Sequence, residues 1–144
     1  MDIREIKESD LTQEYFDLLC QLSGTSTLVT TNMVQNCWVH YNFCPDHHTL
    51  VCIHEDRIVG TASVLIERKM LHHGSKVGHI EDVVVDANRR ITGIGKELIK
   101  KCIEHCRRNR CYKTILDCSD DNIPFYENCG FYKAENCMRM NLED

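Results

Sequence analysis

Two glycines between a run of valines and a stretch with helical periodicity could bind an anion. Gly93 and Gly95 lie in the segment Arg90-Ile91-Thr92-Gly93-Ile94-Gly95. Glycine has no Cβ, so the chain can turn tightly there and bring its N–H groups close to a ligand. The first N–H groups of a helix have no partner within it, and the helix dipole attracts negative charge. The spacing predicts a phosphate or pyrophosphate site, with a plain strand-to-helix turn as the alternative.

The elements on either side of this loop must position it. Asp82–Val85 is β-branched and free of glycine and proline, which favours a strand. From about 94 to 110, apolar residues recur at helical spacing and charged residues fill the opposite face. The apolar positions are Ile94, Leu98, Cys102 and Cys106. The pattern predicts an amphipathic helix that begins at the loop.

Elsewhere the pattern predicts short strands and helices in one domain, residues 1–144. Strands are expected near 2–6, 49–54, 57–68, 77–85, 113–118 and 138–142, with a turn at Glu55-Asp56. One helix is expected after a cap at Ser9 or Asp10, and a second after Thr30 or Thr31. Asn122 can cap a short helix that Gly130 ends. The fold class is α/β, with a mixed, mostly antiparallel central sheet flanked by helices.

Composition excludes several classes of protein. The net charge is -5, from 17 basic and 22 acidic residues, which argues against a nucleic-acid partner. No apolar run approaches the roughly 20 residues that cross a bilayer, so no membrane contact is expected. Residues 1–5 are polar, unlike a signal peptide. We expect a cytoplasmic protein, with sequestration in an organelle as the alternative.

The ten cysteines lie mostly within periodic segments, where cysteine serves as a small buried apolar residue. The functional alternative is a zinc site built from Cys102, His105, Cys106 and Cys111. No C-x-x-C pair exists, and Cys102 and Cys106 continue the apolar face of their helix. No metal is therefore expected.

A second motif comes after the predicted strand 113–118. Tyr126 stands four residues before the pair Gly130-Phe131. Together with Arg90-x-x-Gly93-x-Gly95, this motif resembles the hallmarks of the GNAT superfamily of N-acetyltransferases. Residues 67–72, 78–85, 111–118 and 125–131 look like the branch of that family that acetylates glucosamine 6-phosphate. The likeness is dense from about 67 to 133 and thin before 45.

The resemblance implies direct attack of an amine on acetyl-CoA in a ternary complex. The product would be N-acetylglucosamine 6-phosphate, on the route to UDP-N-acetylglucosamine. Acetyl-CoA would be the co-substrate. Its contacts would fall on the valine strand, the glycine loop and the tyrosine helix, namely Val83, Val84, Val85, Arg90, Ile91, Thr92, Gly93, Ile94, Gly95, Lys96, Asn122 and Tyr126.

The resemblance also implies catalytic roles. The Val83 N–H is the candidate that holds the oxyanion, and Tyr126 is the candidate general acid for the leaving thiolate. Glu81 or Asp82 would orient the amine. Asp117 would accept the amine proton, either by its side chain or by its backbone carbonyl. Side chains alternate along a strand, so we expect only one of Glu81 and Asp82 to reach the ligand.

The family further implies contacts with the sugar phosphate. The candidates are Ser23, Lys69, Met70, Leu71, His72, Glu81, Asp82, Tyr112, Lys113 and Arg139, with Thr25 as the alternative to Ser23. Tyr112 and Lys113 match positions that reach the neighbouring subunit's substrate, so a homodimer with shared sites is expected. The family commonly has an arginine where this chain has Asn141. Arg139, two residues earlier, lies on the same face of a strand and is its candidate replacement. The alternative is that Lys69, His72 and Lys113 hold the phosphate.

Two other functions remain open. A GNAT enzyme could acetylate another small amine or a protein lysine. A non-catalytic module could bind acyl-CoA, but it would be expected to lack Tyr126 or one of the loop glycines, and both are present.

Overall fold

A five-stranded sheet forms the centre of the fold in the computed structural model, which describes residues 1–89 and 92–143. The strands are β1 (Asp2–Glu5), β2 (His47–His54), β3 (Arg57–Arg68), β4 (Lys76–Val85) and β5 (Cys111–Ile115), which lie side by side in that order. β1 to β4 pair antiparallel, and β4 pairs with β5 in parallel. The predicted α/β class with a mixed, mostly antiparallel sheet is confirmed.

Among the described residues, four helical segments lie between strands: α1 (Gln13–Ser23), α2 (Thr31–Asn42), α3 (Leu71–Gly74) and α4 (Ile94–Arg108). A further helix, α5 (Ile123–Asn128), follows β5. Segment α3 is a single turn in which His72 and His73 have φ +50° and +58°. Thr12 caps α1, because its hydroxyl accepts a hydrogen bond from Tyr15 N at 3.4 Å. The predicted cap at Ser9 or Asp10 is therefore wrong: both lie in a short 3₁₀ turn. Thr30 caps α2, as predicted.

The apolar stripe of α4 packs on one face of the sheet and forms the main core. Leu98, Ile99 and Cys102 have no exposed surface, and Cys106 is 3% exposed. They contact buried residues of β2, β3 and β4. Cys52, Cys102 and Cys106 are buried and act as apolar side chains, as predicted, whereas Cys37 and Cys118, which also lie in predicted periodic segments, are exposed. All ten cysteines are free thiols.

The other face of the sheet, here called the α1 face, is only partly covered. Tyr15 of α1 packs with Ile6 and Val51, and Trp38 and Tyr41 of α2 lie against them. The end of this face near α3 is open, where Leu65 is 46% exposed. None of the helices among the described residues is both long and apolar enough to cross a bilayer.

The structure differs from the prediction near the C-terminal end. β5 ends at Ile115, so Asp117 lies two residues beyond it. Residues 138–142 form no strand, and Met138, Met140 and Leu142 are 82–90% exposed. The five strands of the described sheet do not include this segment, so its N–H and C=O groups have no ladder partner there.

The ring of His105 on α4 stacks on that of His48 on β2, with centroids 4.0 Å apart and planes 4° apart. Burial, reinforced by His48 and Arg108 and opposed by Glu5, lowers the pKa of His105 to about 4. The unfolded chain, with an ordinary histidine pKa near 6.5, therefore takes up this proton first as the pH falls. The neutral imidazole therefore makes its full contribution to the free energy of unfolding above about pH 6.5, and this contribution is lost as the pH falls towards 4.

We therefore expect wild type to lose about 1–2 kcal/mol of unfolding free energy through His105 between pH 7 and pH 5, after allowance for partial exposure. Urea unfolding at both pH values measures the loss. The variant His105→Gln should show a smaller pH difference. An equal pH difference in wild type and variant would contradict this account of the stacked pair.

Candidate active site

The glycine loop leads directly into α4. Gly93 has φ +96° and is the residue before the first helical turn. Gly93 has no side chain to cap the helix, and within the described part of the chain no side chain accepts a hydrogen bond from its first N–H groups. A Cβ at Gly93 would meet nothing within 4 Å, so the loop has open space beside it. The predicted contacts Arg90 and Ile91 lie outside the described residues.

Helix α5 packs on the first turn of α4. A Cβ at Gly95 would lie 3.2 Å from the Phe125 ring, which explains why a glycine stands there. A depression of about 390 Å³ opens between the two helices. Its lining residues are Thr92, Gly93, Gly95, Lys96, Phe125, Asn128 and Cys129. The packing of Phe125 thus brings the two sequence motifs together.

Tyr126 is held by aromatic neighbours on both sides. Its ring lies edge-on to Phe125 at 4.9 Å and to Phe131 at 6.0 Å, and its side chain is 9% exposed in total. Burial, with smaller effects of nearby cysteines, raises the pKa of Tyr126 to about 12. The phenol therefore stays protonated near neutral pH and has a proton that it can donate. Asn122 precedes the same helix, and its side chain makes no capping bond.

β4 and β5 separate beside the valines. Their pairing ends at His79 and Ile115, whereas β4 continues to Val85. Among the described residues, the second half of β4 thus has no β5 partner along that edge. Its N–H and C=O groups can pair with an extended ligand, as an added strand would.

β4 also contains a bulge at the predicted amine site. Thr61 pairs with Val84 and Ser63 pairs with Glu81, so Asp82 and Val83 of β4 stand opposite the single residue Ala62 of β3. Asp82 has φ +51°, a conformation that Asp tolerates better than most residues. A bulge of this kind redirects side chains and leaves backbone groups unpaired. Asp82 and Val83 have no partner in the β3 register.

The bulge changes the expectation for Glu81 and Asp82. Ile80 and Val83, three residues apart, both contact the core under α4, so the regular alternation is broken between them. Glu81 and Asp82 are both exposed. The expectation that these two side chains point to opposite faces is therefore not supported. Although Glu81 is exposed as a residue, neighbouring atoms partly desolvate its carboxyl, and this desolvation, followed by the charges of Asp82 and Asp117, raises the pKa of Glu81.

Asp117 lies close to this acidic pair, although it is not at the end of a strand. The Cys137 thiol donates to Asp117 Oδ2 at 3.4 Å. The carboxylate of Asp117 is also one of the charges that raise the pKa of Glu81. The chain after β5 and the C-terminal segment therefore meet beside β4.

Three of the predicted substrate residues form one cluster. His72 lies against Tyr112 with centroids 4.1 Å apart, and Lys113 Nζ is 5.5 Å from the centre of the Tyr112 ring. Lys69 Nζ pairs with Glu67 Oε1 at 2.9 Å. Met70 and Leu71 connect them and are 100% and 66% exposed. Cations thus gather where α3 meets β5.

Ser23 and Arg139 lie apart from that cluster. Ser23 ends α1, where Gln21 Nε2 donates to Asp86 Oδ1 at 3.2 Å, so it lies towards the far end of β4. Arg139 Nε donates to Asn141 Oδ1 at 2.8 Å in the exposed C-terminal segment. Because no strand forms there, the argument that Arg139 and Asn141 share a strand face does not hold in this chain.

Other parts of the molecule do not form the site. A larger open depression of about 730 Å³ lies on the outer side of α2, and none of the predicted site residues lines it. Among residues 1–89 and 92–143, no group of three or more His, Cys, Asp or Glu side chains is arranged to hold a metal ion.

Sequence reasoning missed three residues. Phe125 holds the two motifs together, and its only signal is its place beside Tyr126. Glu67 and His79 bond to each other at 2.9 Å across β3 and β4. A carboxylate and an imidazole 12 positions apart carry no local signal, because only the strand register brings them together.

The comparisons with known proteins agree with this geometry. The Acetyltransferase (GNAT) family matches residues 11–131. The chain is 40% identical to "Glucosamine 6-phosphate N-acetyltransferase" of Arabidopsis thaliana, over 89% of this chain and 87% of that protein. It is 39% identical to the protein of the same name from Trypanosoma brucei brucei, over 99% and 96%. The crystal structure of the Arabidopsis thaliana enzyme superposes with a TM-score of 0.93 at 36% identity, over 99% and 98% of the two chains.

Proposed function

Because this chain belongs to the Acetyltransferase (GNAT) family and is an acyltransferase, we propose that it acetylates the 2-amino group of glucosamine 6-phosphate. Acetyl-CoA is the proposed donor, and residues 1–144 act as one domain. The observation that carries the proposal is the contact of Phe125 with Gly95, which holds Tyr126 beside the glycine loop. Relatives that match nearly the whole chain support the choice of acceptor.

Acetyl-CoA would bind along the loop and the free edge of β4. The N–H groups from Gly93 to Lys96 would hold the pyrophosphate, with Arg90, Ile91 and Thr92 before them. The edge at Val83–Val85 would pair with the pantetheine arm, and Asn122 would support the same ligand. The open space at Gly93 and the uncapped start of α4 fit these groups.

The proposed reaction is direct attack in a ternary complex. The neutral amine would attack the thioester carbonyl carbon, and the Val83 N–H, freed by the bulge, would donate to the developing oxyanion. The C–S bond then breaks, and the neutral phenol of Tyr126 donates its proton to the leaving thiolate. Glu81 and Asp82 would orient the amine, and Asp117 would accept its proton.

The sugar phosphate would lie across β4, with its phosphate towards the cations near α3. Lys69 and Lys113 would supply positive charge, His72 would contact the phosphate, and Tyr112 would pack against the ligand. Met70 and Leu71 would shape the entrance. Ser23 and Arg139 would contact the ligand from the other elements.

We further propose a homodimer, because apolar surface next to the site is left exposed. Met138, Met140 and Leu142 alternate in the C-terminal segment at 82–90% exposure, and β5 is an edge strand with Ile115 41% exposed. A second copy that covers both would bring Tyr112 and Lys113 close to the partner's substrate.

Light scattering should therefore give about twice the chain mass of 16.8 kDa. Replacing both Met138 and Met140 with aspartate should give a monomer, because the charges could not be buried at the interface. The same change at exposed Leu28 and Val39 is the control and should leave the mass unchanged. A wild-type monomer at micromolar concentration would contradict the homodimer.

The acceptor is tested by release of CoA thiol from acetyl-CoA. The amines would be glucosamine 6-phosphate, glucosamine, spermidine, an aminoglycoside and a lysine peptide, with a no-amine control because the chain has ten thiols. Strong release only with glucosamine 6-phosphate is expected. Release with another amine would keep the family and change the substrate, and no release would favour an acyl-CoA-binding module.

The free thiols also favour a reducing compartment. We propose the cytoplasm as the place of the reaction, as one step towards UDP-N-acetylglucosamine.

A further inference from the structure

Gln21, near the end of α1, joins this helix to the chain that enters the glycine loop, and the proposed mechanism does not use it. Its side-chain oxygen accepts a hydrogen bond from Ala87 N at 2.9 Å. Its side-chain nitrogen donates to Asp86 Oδ1 at 3.2 Å. The oxygen and the nitrogen of one amide are therefore bound to two consecutive residues, which fixes the orientation of that amide.

The bonded residues begin the connection between β4 and α4. A 3₁₀ turn over Ala87–Arg89 comes shortly after β4 and leads towards the glycine loop. Asp86 organises this turn, because its Oδ1 also accepts a hydrogen bond from Asn88 N at 3.0 Å. The Asp86 N–H donates to Val59 O at 2.8 Å. Asp86 thus ties the turn to β3, and Gln21 ties the same carboxylate to α1.

An ion pair also restrains the turn, but it contributes little. Arg89 Nη1 lies 3.6 Å from Glu55 Oε2, and the Glu55 side chain is 73% exposed. Exposed ion pairs are screened by water and salt and are worth about 0–1 kcal/mol. The two hydrogen bonds of Gln21, one of them to a charged carboxylate, therefore restrain the turn more than this ion pair does.

The position of the turn matters because several N–H groups of the loop must meet the pyrophosphate together. Gly93 has φ +96° and no Cβ, so it restricts the conformation of its own loop little. A loop that is ordered before its ligand arrives binds more tightly, since less conformational entropy is lost on binding. A tether at the entry to the loop supplies part of that order.

We propose that Gln21 is a positioning residue for acetyl-CoA, because its two hydrogen bonds hold the entry to the glycine loop against α1, an inference that rests on the proposed function. Gln21 itself does not touch the ligand and acts through Asp86 and Ala87. Without these bonds, the ligand must order the turn at the expense of its own affinity.

The first test is calorimetric titration of Gln21→Met with acetyl-CoA. This variant keeps the length of the side chain and removes both hydrogen bonds. The Kd for acetyl-CoA should rise by about 3- to 10-fold, whereas the melting temperature should fall by less than about 2 °C. An unchanged Kd would overturn the proposal.

The KM for glucosamine 6-phosphate separates this effect from a displacement of α1. Helix α1 ends at Ser23, a proposed contact of the sugar, so a displaced helix would weaken both ligands. With saturating acetyl-CoA, we expect kcat and the KM for the sugar to stay within about twofold of wild type. A loss of sugar affinity as large as the loss of acetyl-CoA affinity would overturn the proposal.

Gln13 offers a matched control on the same helix. Its side-chain oxygen accepts from Val29 N at 3.0 Å, and its side-chain nitrogen donates to Thr27 O at 2.8 Å. These bonds are of the same kind as those of Gln21, but they hold the chain between α1 and α2. Gln13→Met should leave the Kd for acetyl-CoA unchanged, and an equal loss in both variants would overturn the proposal.

A pair of exchanged groups tests the hydrogen bonds themselves. Gln21→Glu keeps the acceptor for Ala87 N but places a second carboxylate against Asp86, so it should weaken acetyl-CoA binding. Adding Asp86→Asn gives the new carboxylate an amide donor and should recover most of the lost affinity. If the double variant bound as weakly as Gln21→Glu alone, the proposal would be wrong. Failure of the proposed function is distinct, because it would appear in the wild-type protein as absent CoA release with glucosamine 6-phosphate.

Discussion

Tyr126→Phe is expected to lower kcat by about 100-fold or more, because it removes the only atom proposed to donate to the leaving thiolate. The ring would stay packed against Phe125 and Phe131, so the helix and the glycine loop should keep their places. The Kd for acetyl-CoA should therefore change by less than about twofold. Steady-state kinetics and calorimetry measure the two quantities.

Tyr132→Phe is the matched control. It removes the same hydroxyl from a tyrosine that is 84% exposed, and it should leave kcat unchanged. Wild-type turnover in the Tyr126→Phe variant would show that Tyr126 is not the general acid. Parallel loss of acetyl-CoA affinity and turnover would instead make Tyr126 a residue of the binding site.

The main helix and the loop before it are predictable because their signals are local. The 3.6-residue period of Ile94, Leu98, Cys102 and Cys106 corresponds to the observed buried stripe of α4. The turn at Glu55-Asp56 is also correct, and both residues have positive φ there. Such features depend on a few neighbouring residues, so a single sequence contains enough information.

Features that depend on distant strands are less predictable. The bulge at Asp82 arises because β4 pairs with β3 in two registers. The local sequence Glu81-Asp82 does not by itself predict a bulge. The pattern at 138–142 alternates as a strand would, but a strand forms only where another strand can pair with it. The Glu67–His79 bond depends on the β3–β4 register in the same way.

Gly93→Val is expected to weaken CoA binding by about 10- to 100-fold. The space beside Gly93 is open in the protein, so the new side chain would stand where a phosphate must approach the N–H groups of α4. A charge-assisted hydrogen bond is worth about 1.5–3 kcal/mol, so loss of one or part of two gives this range. Calorimetric titration with CoA measures it.

The substitution also strains the backbone, because Gly93 has φ +96°. Gly24→Val separates the two effects: Gly24 has φ +72° and equally open surroundings, but it lies at the end of α1. Both variants should lower the melting temperature, whereas only Gly93→Val should lower CoA affinity. If both lost CoA affinity alike, general destabilisation would explain the result. If Gly93→Val bound CoA normally, the loop would be a plain turn, and the pyrophosphate would have to bind elsewhere.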